Sequence, residues 1–350
     1  MQAAAATTGT DRECMARALA AAAEVRCITS PNPWVGAVVR TTAGVLHTGA
    51  TAEPGGPHAE VTALAAAGDS AAGSTLYVTL EPCSHHGRTP PCVDAIVEAG
   101  VERVVVAIED PDPSVSGAGL AALREAGIEV AVGVQSEQAA NQLAAYVTHR
   151  RTGRPHVVLK LAASLDGGTA APNGTSQWIT SPEARADGHR LRAESDAILV
   201  GAGTIRRDDP SLTVRDYHPP CTPRAGSVDP RRVVLGTVPD GARVHPCTEF
   251  EGDVGEVLDT LGSEGVLQLL VEGGANVAGE FHRAGLVDRY VLYQAPALFG
   301  GDDAQGLFAG HGAFDIGEVW RGRIVSTQRI GPDLRIDFET AATRGKGETG

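Results

Sequence analysis

Three side chains of the kinds that hold a transition metal stand beside a carboxylate in the first third of the chain. His58-Ala59-Glu60 comes first, then Glu81-Pro82-Cys83, then Cys92. One imidazole and two thiolates supply the three protein ligands that zinc takes when it works on water, with a further position left open. Zinc lowers the pKa of such a water to about 7, so hydroxide is available at neutral pH. Attack on an amidine-like carbon then needs a proton carrier, and Glu60 sits two residues beyond the imidazole, at the start of the same expected helix. Cys92 opens another expected helix, whose dipole favours the thiolate. A structural zinc site, or two unrelated thiols, is the competing reading; a carboxylate beside an incomplete ligand set opposes it. The intervening loop, Ser84 to Pro91, carries His85 and His86. These read either as solvated residues or as substrate contacts beside the metal.

A second set lies in the other half. Val271-Glu272-Gly273-Gly274-Ala275-Asn276 joins an expected strand to an expected helix. Backbone amides at such a helix start suit a phosphate, and glycines allow close approach. Alone, this pattern is more commonly just a turn. Arg192, ending a helix, and Arg215, following the strand-like Leu212-Thr213-Val214, each carry a planar fork suited to phosphate, but taken singly each reads more readily as a solvated surface residue. Asp208-Asp209-Pro210 reads as a turn and Trp178 as core packing. No G-x-G-x-x-G follows the first strand of this half, so an ordinary dinucleotide-binding fold is not indicated.

The elements that must position these residues alternate between strand and helix. Helices are expected at 11–25, 58–67, 92–99, 120–126 and 137–150, and strands at 35–40, 46–49, 75–80, 104–108 and 129–133. The first helix carries Met15, Leu19 and Ala22 or Ala23 on one stripe. A polar Gly- and Pro-containing segment, Arg150 to Pro155, marks a boundary. Beyond it come strands at 156–163, 197–201, 232–235, 266–272 and 289–294, helices at 182–195 and 275–284, and a hairpin of 324–330 with 334–339. Ser181 is the expected N-cap of the helix at 182. The pattern predicts an α/β fold in two domains, 1–150 and 151–340, followed by a polar tail, 341–350.

Composition fits this. With 350 residues, 42% hydrophobic and 21% charged, the chain has the profile of a core-forming protein of two domains. No uncharged apolar run approaches the roughly 20 residues of a membrane span. The net charge of −14 and the 4% aromatic content oppose a nucleic-acid partner. The N-terminus lacks the pattern of a secretion signal, so a reducing, cytoplasmic compartment is expected, with the six cysteines as thiols or metal ligands. Cys14, Cys27, Cys221 and Cys247 read as incidental thiols.

Nucleobase deaminases carry H-x-E followed by P-C-x-x-C, whereas here eight residues separate the cysteines. The longer runs resolve the difference. Ser30-Pro31-Asn32-Pro33-Trp34-Val35-Gly36, His58-Ala59-Glu60-Val61 and the stretch from Thr79 to Cys92 resemble the bifunctional riboflavin-biosynthesis deaminase–reductase family, in which the wide spacing is normal. Lys160 to Gly167, Ser176 to Thr180, Asp208 to Arg215 and Val271 to Gly274 resemble the reductase half of that family. The resemblance spans about residues 11–340. It implies a cytidine-deaminase-like three-layer α/β/α domain followed by a dihydrofolate-reductase-like α/β domain. It implies Zn2+ on His58, Cys83 and Cys92, Glu60 as proton shuttle and Asn32 in a pyrimidine pocket. In the second half it implies NADPH contacts at Ala162, Trp178, Thr204, Asp208, Thr237, Gly274, Ala275, Asn276, Val277, Ala278, Gly279 and Glu280. Substrate contacts fall at Ser176, Arg192, Leu212, Arg215 and Glu272, with Lys160 and Asp166 lining the same site. The implied substrate is a small pyrimidine ribosyl phosphate, deaminated at C2 and then reduced at C1′, and the implied assembly a dimer or tetramer. Proton delivery in the reduction falls to a water or to Glu272. Trp34 departs from the family pattern and is expected to alter the pocket wall. Gly168 stands where the family has Lys or Arg, and Gly236-Thr237 where it has an acid and Ser.

Two rival readings remain at this stage. A nucleic-acid or nucleobase deaminase with an accessory nucleotide-binding domain shares the metal motif, but charge and aromatic content oppose it. A zinc-stabilised scaffold without activity predicts metal-dependent folding and no ammonia release.

Overall fold

The computed structural model describes residues 8–85, 90–112, 115–224 and 226–340. His86 and the tail 341–350 therefore lie outside the described residues. The chain divides into two compact units, Met1–Thr152 with Pro219–Ser227, and Gly153–His218 with Val228–Gly350.

The first unit is a five-stranded sheet covered on both faces. In chain order it runs α1 (Gly9–Glu24), β1 (Gly36–Arg40), β2 (Leu46–Ala50), α2 (Ala59–Ala67), β3 (Thr75–Leu80), α3 (Cys92–Glu98), β4 (Arg103–Ile108), α4 (Ala118–Glu125), β5 (Glu129–Val132), α5 (Ser136–Gln142) and α6 (Ala144–Thr152). The sheet order is β2-β1-β3-β4-β5, antiparallel from β2 to β3 and parallel from β3 to β5. Parallel strands buried on both faces need continuous apolar runs, and Leu76 to Leu80 and Val104 to Ala107 provide them. α1 begins at a capping box, in which Thr8 and Asp11 satisfy each other's backbone N–H groups. Its buried stripe is Met15, Ala18 and Ala22, with Leu19 only partly covered. Gly36 explains the rotation: a Cβ there would lie 1.9 Å from the Ala18 carbonyl oxygen, so the small residues of α1 must face β1. Asp11 also accepts from Tyr77 Oη at 2.9 Å and Arg103 Nη1 at 2.8 Å, tying α1 to β3 and β4.

The helix expected over 137–150 is two helices broken at Leu143. At the break the Trp34 indole donates to the Gln142 carbonyl at 3.1 Å, taking an acceptor that a continuous helix would use internally. Trp34 is thus buried in the core, 1% exposed, rather than in a pocket wall.

The second unit is an eight-stranded sheet. It runs β6 (His156–Ser164), α7 (Pro182–Ala193), β7 (Ala197–Gly201), α8 (Ala202–Asp208), β8 (Arg231–Leu235), β9 (Thr248–Phe250), α9 (Val254–Ser263), β10 (Gln268–Val271), α10 (Ala275–Arg283), β11 (Arg289–Ala295), β12 (Gly322–Ile330) and β13 (Asp333–Thr340). The order is β12-β13-β11-β6-β10-β7-β8-β9, with β13 antiparallel to both neighbours and the rest parallel. Alternate residues feed two cores. Leu159, Leu199 and Leu269 meet α9 and α10, while Val158, Ile198 and Leu270 meet α7 and α8. Ser181 caps α7 by accepting from Ala184 N at 3.2 Å.

In this unit α8, β9 and α9 escape the sequence reading. α9 carried a clear signal, since Val254, Val257, Leu258 and Leu261 recur at helical spacing behind an Asp253 N-cap. Leu212 to Val214 is not a strand; Leu212 has φ 54°, which a strand does not allow.

Candidate functional site

In the first unit, α2 and α3 present their N-termini to one spot. His58 is the N-cap of α2 but makes no side-chain cap bond, which leaves its ring for the site. Its Nδ1 lies 3.2 Å from Cys92 Sγ and 3.6 Å from Cys83 Sγ. The Cys92 backbone N–H donates to Cys83 Sγ at 3.4 Å, so the start of α3 steadies the sulfur that precedes it. One donor atom from each of His58, Cys83 and Cys92 falls within 4.8 Å of the others. His85 is not part of this trio.

Electrostatics follow from the crowding. The Cys92 hydrogen bond and the His58 ring pull the Cys83 thiol well below its ordinary value, against burial. The bond to Cys83 holds His58 above the ordinary imidazole value. Glu60 is 3% exposed, and burial pushes its carboxyl up to about 7. An imidazole and two sulfurs form a donor set that fits zinc.

His58 and Cys83 open on a cavity of about 280 Å3, lined also by Asn32, Thr51, Glu60, His85, Asp110, Tyr146 and Arg150 among others, with Cys92 buried behind them. Asn32, expected in a pyrimidine pocket, lines this cavity. Asp110, Tyr146 and Arg150 were missed. The Tyr146 hydroxyl donates to Asp110 Oδ2 at 3.2 Å, and Arg150 stacks over the Tyr146 ring at 5.1 Å. Glu81 is a lining residue with a structural job. Its carboxylate accepts from Asp110 N at 3.1 Å, Gly117 N at 3.0 Å and Gly119 N at 2.8 Å, fixing the loop that carries Asp110.

In the second unit a cleft of about 1220 Å3 lies by the carboxyl ends of β6, β7 and β10. Ala162, Trp178, Thr204, Asp208, Ser176, Arg192, Leu212, Arg215, Glu272 and Lys160 all line it. Thr237 does not; it is exposed and donates to Glu251 at 3.3 Å. Gly274 to Glu280 do not line it either, although Gly274 adjoins the lining residue Thr204. Val277 and Ala278 point into the core behind the sheet, and Ala278 N is bonded to Gly274 O at 3.0 Å. Only the first turn of α10 offers free N–H groups. Asp166 faces the 299–300 loop instead of the cleft, accepting from Gly300 N at 2.9 Å. Gly168 packs under Phe299, where a Cβ would come 2.3 Å from the ring, so this position has no room for a long side chain. Trp178 is 69% exposed, with Arg185 stacked 4.5 Å over it, and is not core packing.

Arg192 is committed rather than free. Its Nε and Nη2 bind both Glu272 oxygens at 2.7 and 2.9 Å, and its Nη1 donates to Thr213 O at 3.0 Å. Burial alone would raise the Glu272 pKa, but the Arg192 charge and hydrogen bonds, aided by Lys160 and His189, hold it at about 2. A carboxylate so held is not a proton donor at neutral pH. His189, Asp209 and Arg243 also line the cleft and were missed. His189 had a signal, lying one turn before Arg192 on the same helix face.

Comparison with known proteins gives one answer for both halves. The cytidine and deoxycytidylate deaminase zinc-binding region matches residues 8–108, and the RibD C-terminal domain matches residues 155–336. The chain is 39% identical over 359 residues to the riboflavin biosynthesis protein RibD of Escherichia coli (strain K12), covering 93% of this chain and 98% of that protein. It is 42% identical over 340 residues to the RibD of Mycobacterium tuberculosis (strain ATCC 25618 / H37Rv), covering 93% and 96%. Acinetobacter baumannii RibD, form 1, superposes with a TM-score of 0.87 at 35% identity, covering 95% of this chain and 99% of that one. A diaminohydroxyphosphoribosylaminopyrimidine deaminase/5-amino-6-(5-phosphoribosylamino)uracil reductase from Thermotoga maritima gives 0.81 at 32%, with the same coverage. The chain thus belongs to the RibD family, as a bifunctional enzyme of riboflavin biosynthesis in which a zinc-binding deaminase half, a hydrolase, precedes a reductase half, an oxidoreductase.

Proposed function

We propose that the first unit removes the C2 amino group of 2,5-diamino-6-(5-phosphoribosylamino)pyrimidin-4(3H)-one by hydrolysis, and that the second reduces the ribosyl side chain of the product to ribityl with NADPH. The observation that carries this is the His58, Cys83 and Cys92 trio within 4.8 Å, of which His58 and Cys83 share one small cavity with the buried Glu60. His58, Cys83 and Cys92 would hold the zinc, which supplies a Lewis acid that makes water nucleophilic at neutral pH. Glu60, buried and with its pKa raised, takes the water proton and passes it to the leaving amine as ammonia departs. Asn32 and Asp110 offer polar groups to the edge of the heterocycle.

In the cleft, Ala162, Trp178, Thr204 and Asp208 contact the cofactor, and beyond its lining, past Gly274 next to Thr204, the free N–H groups of Ala275, Asn276 and Val277 meet one of its phosphates. The nicotinamide supplies hydride to C1′. Ser176, Leu212 and Arg215 hold the substrate, with Arg215 at its phosphate. Glu272, kept ionised by Arg192, orients rather than protonates, which leaves water as the proton source. Leu298, Phe314 and Ile316, exposed by 69%, 93% and 77%, support a homo-oligomer that covers them; sedimentation at monomer mass would remove that part.

The test is one assay on the full chain with the diaminopyrimidinone phosphate, following ammonia and NADPH absorbance separately. Ammonia first, then NADPH consumption, is expected. Ammonia without NADPH oxidation would overturn the reductase assignment, and neither signal would overturn both.

A further inference from the structure

His189 is 8% exposed, lies on α7 and lines the cleft of the second unit. Its Nδ1 accepts from the Arg215 backbone N–H at 3.0 Å. A nitrogen that accepts carries no proton, so the ring proton sits on Nε2 and the neutral imidazole is the working form. Burial, with the Arg192 and Arg215 charges nearby, holds the ring pKa below its ordinary value, in keeping with this.

The loop this bond reaches needs outside support. Leu212 and Asp216 flank Arg215 with φ 54° and 55°, a region that non-glycine residues seldom enter. Three ties hold it. Arg192 Nη1 donates to Thr213 O at 3.0 Å, Val214 N donates to Asp229 Oδ1 at 2.7 Å, and Arg215 N donates to His189. Only the last acts on Arg215 itself. The Arg215 guanidinium is otherwise held by Ser211 Oγ at 2.9 Å, within its own loop.

We infer that His189 is a positioning residue of the reductase, its Nδ1 fixing the Arg215 backbone and thereby aiming that guanidinium at the substrate phosphate. The inference rests on the reductase reading above and adds to it a residue with no role there. It separates His189 from Arg192, which stands on the same helix but acts on Glu272 and Thr213.

Steady-state kinetics of the full chain with the deaminated intermediate and NADPH test it. His189→Leu removes the acceptor, and His189→Asn returns one near the place of Nδ1. Leu is expected to raise the KM for the phosphorylated intermediate about tenfold, with little change in kcat or in the KM for NADPH. Asn should recover most of the loss. In an Arg215→Ala background the Leu change should add nothing, because the two act as one. Ammonia release by His189→Leu should match the parent, and the unchanged kcat and KM for NADPH report that the second unit is folded. An unchanged KM, an equal further loss in the Arg215→Ala background, or an equal rise in the KM for NADPH would each overturn the inference. A parent chain that oxidises no NADPH would instead overturn the reductase reading, and His189 with it.

Discussion

Glu60 and Glu272 are both buried carboxylates, yet their environments drive them in opposite directions. Glu60 has no arginine partner among the described residues, and burial lifts it to about 7. Glu272 is gripped at both oxygens by Arg192 and stays at about 2. Such divergence separates a group that moves protons from one that holds charge. Glu60→Gln keeps the shape of the side chain and abolishes proton transfer. It should retain zinc and lower the ammonia rate at least about a hundredfold; ammonia release near the parent rate would reject Glu60 as the shuttle. Cys92→Ser should lose the metal, since a hydroxyl is a poor zinc ligand. Retained zinc on elemental analysis would mean that a residue outside the trio, His85 foremost, completes the ligand set. The residue types of the trio were legible because metal chemistry restricts them so tightly. Asp110 and Tyr146 were not, because nothing in their local sequence distinguishes an acid and a phenol in a cavity wall from the same residues on a surface.

The elements decide whether those residues meet. α2 carries His58 and Glu60 and lies on β2 with Gly49 between them. A Cβ at Gly49 would sit 2.3 Å from the Ala59 carbonyl oxygen and 2.4 Å from Ala63 N. Both obstacles are backbone, so the helix must shift as a body. Gly49→Ala should destabilise the first unit by about 1–3 kcal/mol and lower zinc affinity together with ammonia release. A variant with parent zinc affinity would show that α2 is not fixed by this approach. Most strands and helices were legible from periodicity, since Leu76 to Leu80 and Val104 to Ala107 can only be buried strands in this alternation. The breaks were not. Leu143 interrupts a helix because Trp34, far away in sequence, takes the Gln142 carbonyl. Gly36 rotates α1 through a contact with Ala18 that no helical pattern contains.

Each half of the molecule has its own sheet, core and candidate site, and among the described residues the cluster that could hold a metal falls in the first half. Zinc affinity is folding energy for the unit that holds the ion, contributing about 4 kcal/mol when free zinc exceeds the dissociation constant a thousandfold. A chelator should therefore act unevenly. Ammonia release is lost, and one calorimetric transition moves down. NADPH oxidation persists when the deaminated intermediate is supplied directly, and the other transition stays where it was. Restoring zinc should return the first activity and the first transition together. Loss of both activities on chelation would mean that the reductase half also depends on the ion. Unchanged ammonia release in metal-free protein would strip the His58, Cys83 and Cys92 trio of its part in the chemistry, because no other described cluster of His, Cys, Asp or Glu is arranged to hold a metal.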